Sequence, residues 1–450
     1  MFNISKDLKV KIEHPSQFKQ RSFIQLNPYD LQLLLFIKEH EVIARTQLYG
    51  LLTEFLDINI HRSSFSKRWD KLEEFKLIKS YTIRLDCFGT KRKILRLTKA
   101  GIDLLKELQL IPRNYNETKS TNSYDSNNWD HSLAIREMVI RGLIGSKKLI
   151  DHEIVDDTYA YQNIESLNPY IHQFYPSTVV PDWIMANLNE IVCLEANSGF
   201  ERHTTIKKKI KGYINMSSYY PDLSCSVVFG IIDNSFNTRE FYKYDDPIIK
   251  VVNLKKLIIK QFQGLMNSTL EIKVCTLDRI QNVLPSSFMA IPPLTAENRQ
   301  NQMKLAQNHL DQLPTYPFKH EMIRNIEGIL ERLEETTGFR PDHVIKEVEP
   351  STKETFLSIL IMLREGDIKT LARLLAYAQS AEWQKICGNG RVYAIYKNTD
   401  ELIKDIVPGK LNKNVYFSSI ELLSQHGQSH HLFKRKSSTK LRGIDDFEFM

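Results

Sequence analysis

The chain has 450 residues, 42% hydrophobic and 26% charged, close to the average soluble domain. This excludes a wholly disordered, collagen-like or membrane-embedded chain. At roughly 100–200 residues per domain, two to four domains are expected. The net charge of +7 is concentrated: residues 60–99 hold twelve Lys/Arg against four Asp/Glu, so that one segment carries the whole excess. A local basic block is the electrostatic footprint of a nucleic-acid contact.

No apolar run reaches the ~18 residues a membrane helix needs. The opening MFNISKDLKVKIEH has no apolar signal-peptide core, so a cytoplasmic location with no membrane partner is expected. Cysteines 87, 193, 225, 275 and 387 are scattered and form no CxxC pair, as reduced thiols would be.

Residues 1–27 read as an N-terminal extension and 28–111 as one small domain. Pro28-Tyr29-Asp30 opens an apolar-periodic helix, a short helix covers about 44–52, and a third runs from Ser63. Phe65, Trp69, Leu72 and Phe75 in that third helix fall at helical spacing. IKSYTIRLDCFGTKRKILRLT then alternates as a hairpin about Phe88-Gly89-Thr90, and AGIDLLKEL closes the unit. Three helices followed by a hairpin is the winged helix-turn-helix order. The recognition helix of such a fold enters the major groove, which puts Arg62, Ser63, Ser64, Lys67, Arg68 and Lys71 against double-stranded DNA. Lys91, Arg92 and Lys93, next to Thr90 at the wing, would meet the backbone.

Residues 112–128 are polar and read as a linker. Residues 129–285 alternate helix and strand signals, as in an α/β domain. Residues 286–425 read as mostly helical, TFLSILIMLREGDIKTLARLLAYAQ included. Residues 426–450 form a basic and then acidic tail, from Lys434-Arg435-Lys436 to Asp445, Asp446 and Glu448. The chain shows no internal repeat.

Asp182, in VVPDWIM, and Glu195, in VCLEAN, stand thirteen residues apart on two successive strand candidates. A hairpin would set these carboxylates side by side, where oxygen ligands could hold Mg²⁺. Lys208 or Lys211 on the next helix could stabilise phosphate charge, and Glu137 is a further carboxylate. Pro341-Asp342 reads as a decoy between helical segments. No GxxxxGK[ST] loop is present, and His426, His430 and His431 read as a polar loop.

DHSLAIRE, VVPDWIM, VCLEAN and IKKKIKGY resemble the replication-relaxation family over about residues 28–235. The resemblance implies an accessory protein of plasmids or mobile elements, with a winged helix ahead of a core similar to PD-(D/E)xK nucleases. Asn197 departs from that motif, which has lysine two positions after the second acid. Either a helix lysine substitutes or the site is inactive.

The expectation is therefore an α+β multidomain protein: a winged helix, a restriction-endonuclease-like core and a helical C-terminal region. It would bind DNA near an origin of replication or transfer and contact a relaxase or replication protein, and a homodimer is compatible with it. No cofactor is expected beyond Mg²⁺ in an active site. The alternatives are a metal-dependent nicking endonuclease and a winged-helix transcription regulator.

Overall fold

Asn27 starts the first long helix. Its side chain accepts the Asp30 N–H at 2.9 Å, while the Asp30 carboxylate accepts the Asn27 N–H at 2.8 Å. This reciprocal cap satisfies two amides with no partner inside the helix, and Pro28 fits the first turn. The computed structural model describes residues 8–13, 23–84, 91–115, 129–152, 165–169, 179–187, 190–199, 201–236, 246–261, 269–287, 296–313, 316–380, 382–425 and 431–443. The hairpin tip 88–90, most of 112–128, His426, His430 and the acidic end lie outside these residues. The chain divides into two compact units, Met1–Pro247 with Thr276–Phe288, and Ile248–Cys275 with Met289–Met450.

In the first unit, strands β1 (Val10–Glu13) and β2 (Phe23–Leu26) pair antiparallel. Helices α1 (Pro28–His40), α2 (Arg45–Gly50) and α3 (Arg62–Glu74) follow, with the two-residue strand β3 (Ile43–Ala44) between the first two. The apolar stripe of α3 is buried at Phe65, Trp69 and Leu72. Strands β4 (Ile78–Arg84) and β5 (Lys91–Leu97) form the expected hairpin, and β3 adds to its free edge. Helix α4 (Lys99–Glu107) closes this part.

Helix α5 (Trp129–His152) buries Leu133, Ala134, Ile135, Met138, Val139, Ile140, Leu143 and Ile144. No single stripe holds all of these, so the helix is covered on several sides. It joins the N-terminal helices to the central sheet. Arg136 donates to the His40 carbonyl at 3.0 Å, and Gln47 donates to the Leu133 carbonyl at 2.8 Å. The His40 ring stacks on Trp183 with centroids 4.4 Å apart. Strands β6 (Glu165–Leu167), β7 (Trp183–Ala186) and β8 (Glu190–Asn197) run antiparallel to one another. Helix α6 (His203–Tyr219) then crosses over to β9 (Ser224–Ile231), which is parallel to β8.

The second unit includes α7 (Pro247–Gln261), β10 (Glu271–Thr276) and α8 (Ala296–Gln312). After them come β11 (Lys319–Glu321), α9 (Ile326–Thr337), β12 (His343–Val348), β13 (Thr355–Met362), α10 (Ile368–Gln379), β14 (Val392–Tyr396) and β15 (Val415–Ser419). Strands β16 (Phe433–Arg435) and β17 (Leu441–Gly443) complete a seven-stranded sheet ordered β11 to β17. The reading of 286–425 as mostly helical is therefore corrected. TFLSILIM is a strand buried on both faces: Ile359 and Ile361 enter one apolar cluster, Leu360 and Met362 the other. A continuous apolar run carries no period to tell strand from helix.

The basic part of the supposed tail is also structured. Lys434↔Arg442 and Arg435↔Leu441 are paired in β16–β17, and Arg435 donates to the Asp405 and Leu402 carbonyls. No helix among the described residues is long and apolar enough to cross a membrane.

Two glycines separate close approach from open space. A Cβ at Gly145 of α5 would lie 1.9 Å from the Gln281 carbonyl oxygen, whereas one at Gly50 would meet nothing nearer than 3.9 Å. Gly145→Ala should lower the melting temperature, because overpacking of about 1–3 kcal/mol outweighs the helix gain. Gly50→Ala should raise it by up to about 1 kcal/mol of stability. Thermal unfolding of the two variants checks both signs.

Candidate functional site

The β7–β8 register pairs Trp183 with Leu194, which sets Asp182 opposite Glu195. Asp182 lies just ahead of β7 and accepts the Ala196 N–H at 3.0 Å. On its other side His131, in the first turn of α5, approaches to 3.2 Å. Glu195 is buried inside β8. It accepts from Lys209 of α6 at 2.8 Å and from the Tyr213 hydroxyl. Lys209 also pairs with Glu201 at 2.8 Å. Asn197 turns back to accept the Gly199 N–H at 2.6 Å and so shapes the turn after β8.

The two carboxylates are driven apart in acidity. Burial opposes ionisation of Asp182, but the neighbouring His131, Lys209 and Ala196 N–H outweigh it and hold its carboxyl below the usual range. Burial, then the Asp182 charge, pushes Glu195 up to about 8 against the pull of Lys209 and Tyr213. Burial disfavours the charged His131 ring, but the Asp182 carboxylate raises its pKa overall. Divergent carboxyls in one site can divide acid and base roles. Among the described residues no set of three or more His, Cys, Asp or Glu side chains gathers as a metal centre. Two carboxylates alone suit a hard cation such as Mg²⁺, which keeps most of its waters.

Asp182 and Glu195 are thus brought together. Lys208 and Lys211 are not: both are exposed. Ile206, Ile210 and Tyr213 form the buried stripe of α6. At about 100° per residue, Lys209 lies beside that stripe and Lys208 nearly opposite it. The same periodicity, read from the apolar residues of the sequence, singles out Lys209. Glu137 is engaged with Arg141 at 2.9 Å and Gln47 at 3.0 Å.

The basic positions also divide. Arg62, Ser63, Ser64, Lys67 and Lys71 are exposed along α3, and Lys91 and Lys93 are exposed on β5. Arg68 turns inward and donates to Asp30 at 3.0 Å and to the Gln25 carbonyl at 2.6 Å. Arg92 points to the other side of β5 from its neighbours, as strand alternation demands. Its guanidinium lies 4.4 Å from the Phe236 ring centroid. Burial lowers its pKa, while Glu137 and Asp130 act to keep it charged.

Residues 34–224 match the family model described as replication-relaxation. The match bears out the family expectation over that stretch, and it suggests a role in replication or transfer of plasmids or mobile elements. No curated protein and no solved structure matches the chain.

Glu195 gives the site a pH signature. A carboxyl whose folded pKa exceeds its unfolded value contributes stability that is full below the unfolded value and is lost as pH rises through the folded one. For Glu195 the window runs from 4.5 to about 8. Glu195→Gln, which cannot ionise, should gain several degrees of melting temperature on the native chain between about pH 5 and pH 8.5. Parallel melting curves that keep a constant spacing would contradict the assignment.

Proposed function

We propose that the protein is a DNA-binding accessory factor for replication or transfer of a mobile element. The three helices and hairpin of the first unit act as a winged helix-turn-helix, and the sheet behind them acts as a nuclease-like core. The observation that carries this reading is the exposure of Arg62, Lys67 and Lys71 on α3 and of Lys91 and Lys93 on β5. Lysines in such positions displace counterions from phosphates and give salt-dependent affinity. The core adds contacts to DNA or to a relaxase or replication protein. The family match supports the setting.

Arg68 ties α3 to α1 through Asp30, and Arg92 ties β5 to Phe236, which follows β9. Electrophoretic-mobility titrations of the full chain on duplex DNA test the division of labour. Lys91→Ala with Lys93→Ala should weaken binding to all sequences and flatten the log–log salt slope by about 0.9 per lost phosphate contact. Arg92→Ala should lower the melting temperature and leave the slope unchanged. Equal slopes for the wild type and the lysine double variant would remove β5 from the interface.

The meeting of Asp182, Glu195 and Lys209 favours one further reading, a metal-dependent nicking endonuclease. Asp182 and Glu195 would hold Mg²⁺, which would supply an activated water. Lys209, released from Glu195, would face the phosphate charge. His131 keeps Asp182 ionised for this role. Supercoiled plasmid incubated with Mg²⁺ should then be nicked by the wild type and not by Asp182→Asn or Lys209→Met. Absence of nicking leaves the core a binding module.

A further inference from the structure

The core of the first unit has a counterpart in the second. Strands β6, β7 and β8 run antiparallel, and α6 then crosses to β9, parallel to β8. Strands β11, β12 and β13 likewise run antiparallel, and α10 crosses to β14, parallel to β13. The details agree residue by residue. Pro181-Asp182 stands just ahead of β7, and Pro341-Asp342 just ahead of β12. Trp183 pairs with Leu194, and His343 with Leu360. Leu194 pairs in turn with Val228, and Leu360 with Tyr393. Asp182 accepts the Ala196 N–H at 3.0 Å, and Asp342 accepts the Met362 N–H at 2.8 Å.

The cations around the two aspartates also correspond. Asp182 has His131 from the first turn of α5 and the field of Lys209 from α6. Asp342 has Arg299 from the first turn of α8 and Arg373 from α10, both at 2.7 Å. The position of Glu195, one residue before the amide that each aspartate accepts, is Ile361 in the second unit. Pro341-Asp342 is accordingly no decoy between helices, and the chain does contain a repeat.

We propose that the second unit repeats the core of the first with its site converted to exclude divalent cations, so that cations are confined to Asp182 and Glu195. One carboxylate remains where the first unit has two. Two guanidinium groups, which cannot release their protons, hold it in place of a histidine and a lysine. A divalent ion approaching Asp342 would meet two fixed positive charges and the apolar Ile361. The confinement of cations rests on the nuclease-like reading of the first unit; the repeat itself does not.

Mn²⁺ titration of the full chain, followed by the loss of the free-ion paramagnetic signal, tests the proposal. Wild type should bind one ion. Asp182→Asn should weaken that binding about tenfold or more, and Asp342→Asn should leave it unchanged. Rebuilding the first unit's residues in the second (Ile361→Glu, Arg299→His and Arg373→Lys in the Asp182→Asn background) should restore one bound ion. Binding that survives Asp182→Asn and vanishes in Asp342→Asn overturns the proposal, as does a folded rebuilt variant that binds nothing while wild type binds. Should the rebuilt variant fail to fold, the reciprocal change in the first unit decides. Glu195→Ile with Lys209→Arg and His131→Arg should abolish binding without unfolding the chain. If wild type binds no Mn²⁺ at all, the nuclease-like reading fails by itself. A crystal structure of the full chain then judges the repeat: β12, β13, α10 and β14 must superpose on β7, β8, α6 and β9 with Asp342 on Asp182.

Discussion

Asp182 organises the first unit because a half-buried carboxylate has to be satisfied. An ion taken out of water is tolerated only where hydrogen bonds and opposite charge replace its hydration. Here the Ala196 N–H ties the aspartate to β8, His131 ties it to α5, and the charge of Lys209 reaches it from α6. One side chain thus draws together the hairpin and the two helices that cover it. Glu195, opposite, adds a second demand that Lys209 and Tyr213 answer. The residues that meet at the candidate site are thus the ones that hold the hairpin to its covering helices.

Helix α5 extends that constraint to the N-terminal helices. Its Arg136 binds the carbonyl of His40, whose ring lies between Phe36 and Trp183. Burial and the Arg136 charge keep the His40 pKa well below its ordinary value, so the stack stays neutral. The His40–Trp183 stack and the Arg136 and Gln47 hydrogen bonds tie the N-terminal helices to α5 and the central sheet within the first unit.

Much of this was legible in the sequence. The stripe of Phe65, Trp69 and Leu72 marked α3, the alternation of IKSYTIR and KRKILRL marked the hairpin, and the spacing of Asp182 and Glu195 anticipated their meeting. TFLSILIM was not legible as a strand, because a segment buried on both faces shows no period. The basic stretch around Lys434 and Arg435 looked like a solvated tail because its partners, the carbonyls of Leu402 and Asp405, lie some thirty residues away. The repeat was hidden for a related reason: Pro-Asp is its main sequence trace, and the matching positions differ in residue type while sharing register.

The amino-acid sequence by itself determined where charge is concentrated, which segments have a period, and which carboxylates can share a hairpin. These depend on neighbours within a few residues. Tertiary structure alone decided which carboxylate Lys209 meets, Glu195, and that Arg68 leaves the surface for Asp30. Those choices depend on the rotation of a helix or strand against elements distant in the chain, and a turn of about 100° per residue separates a site lysine from a solvated one.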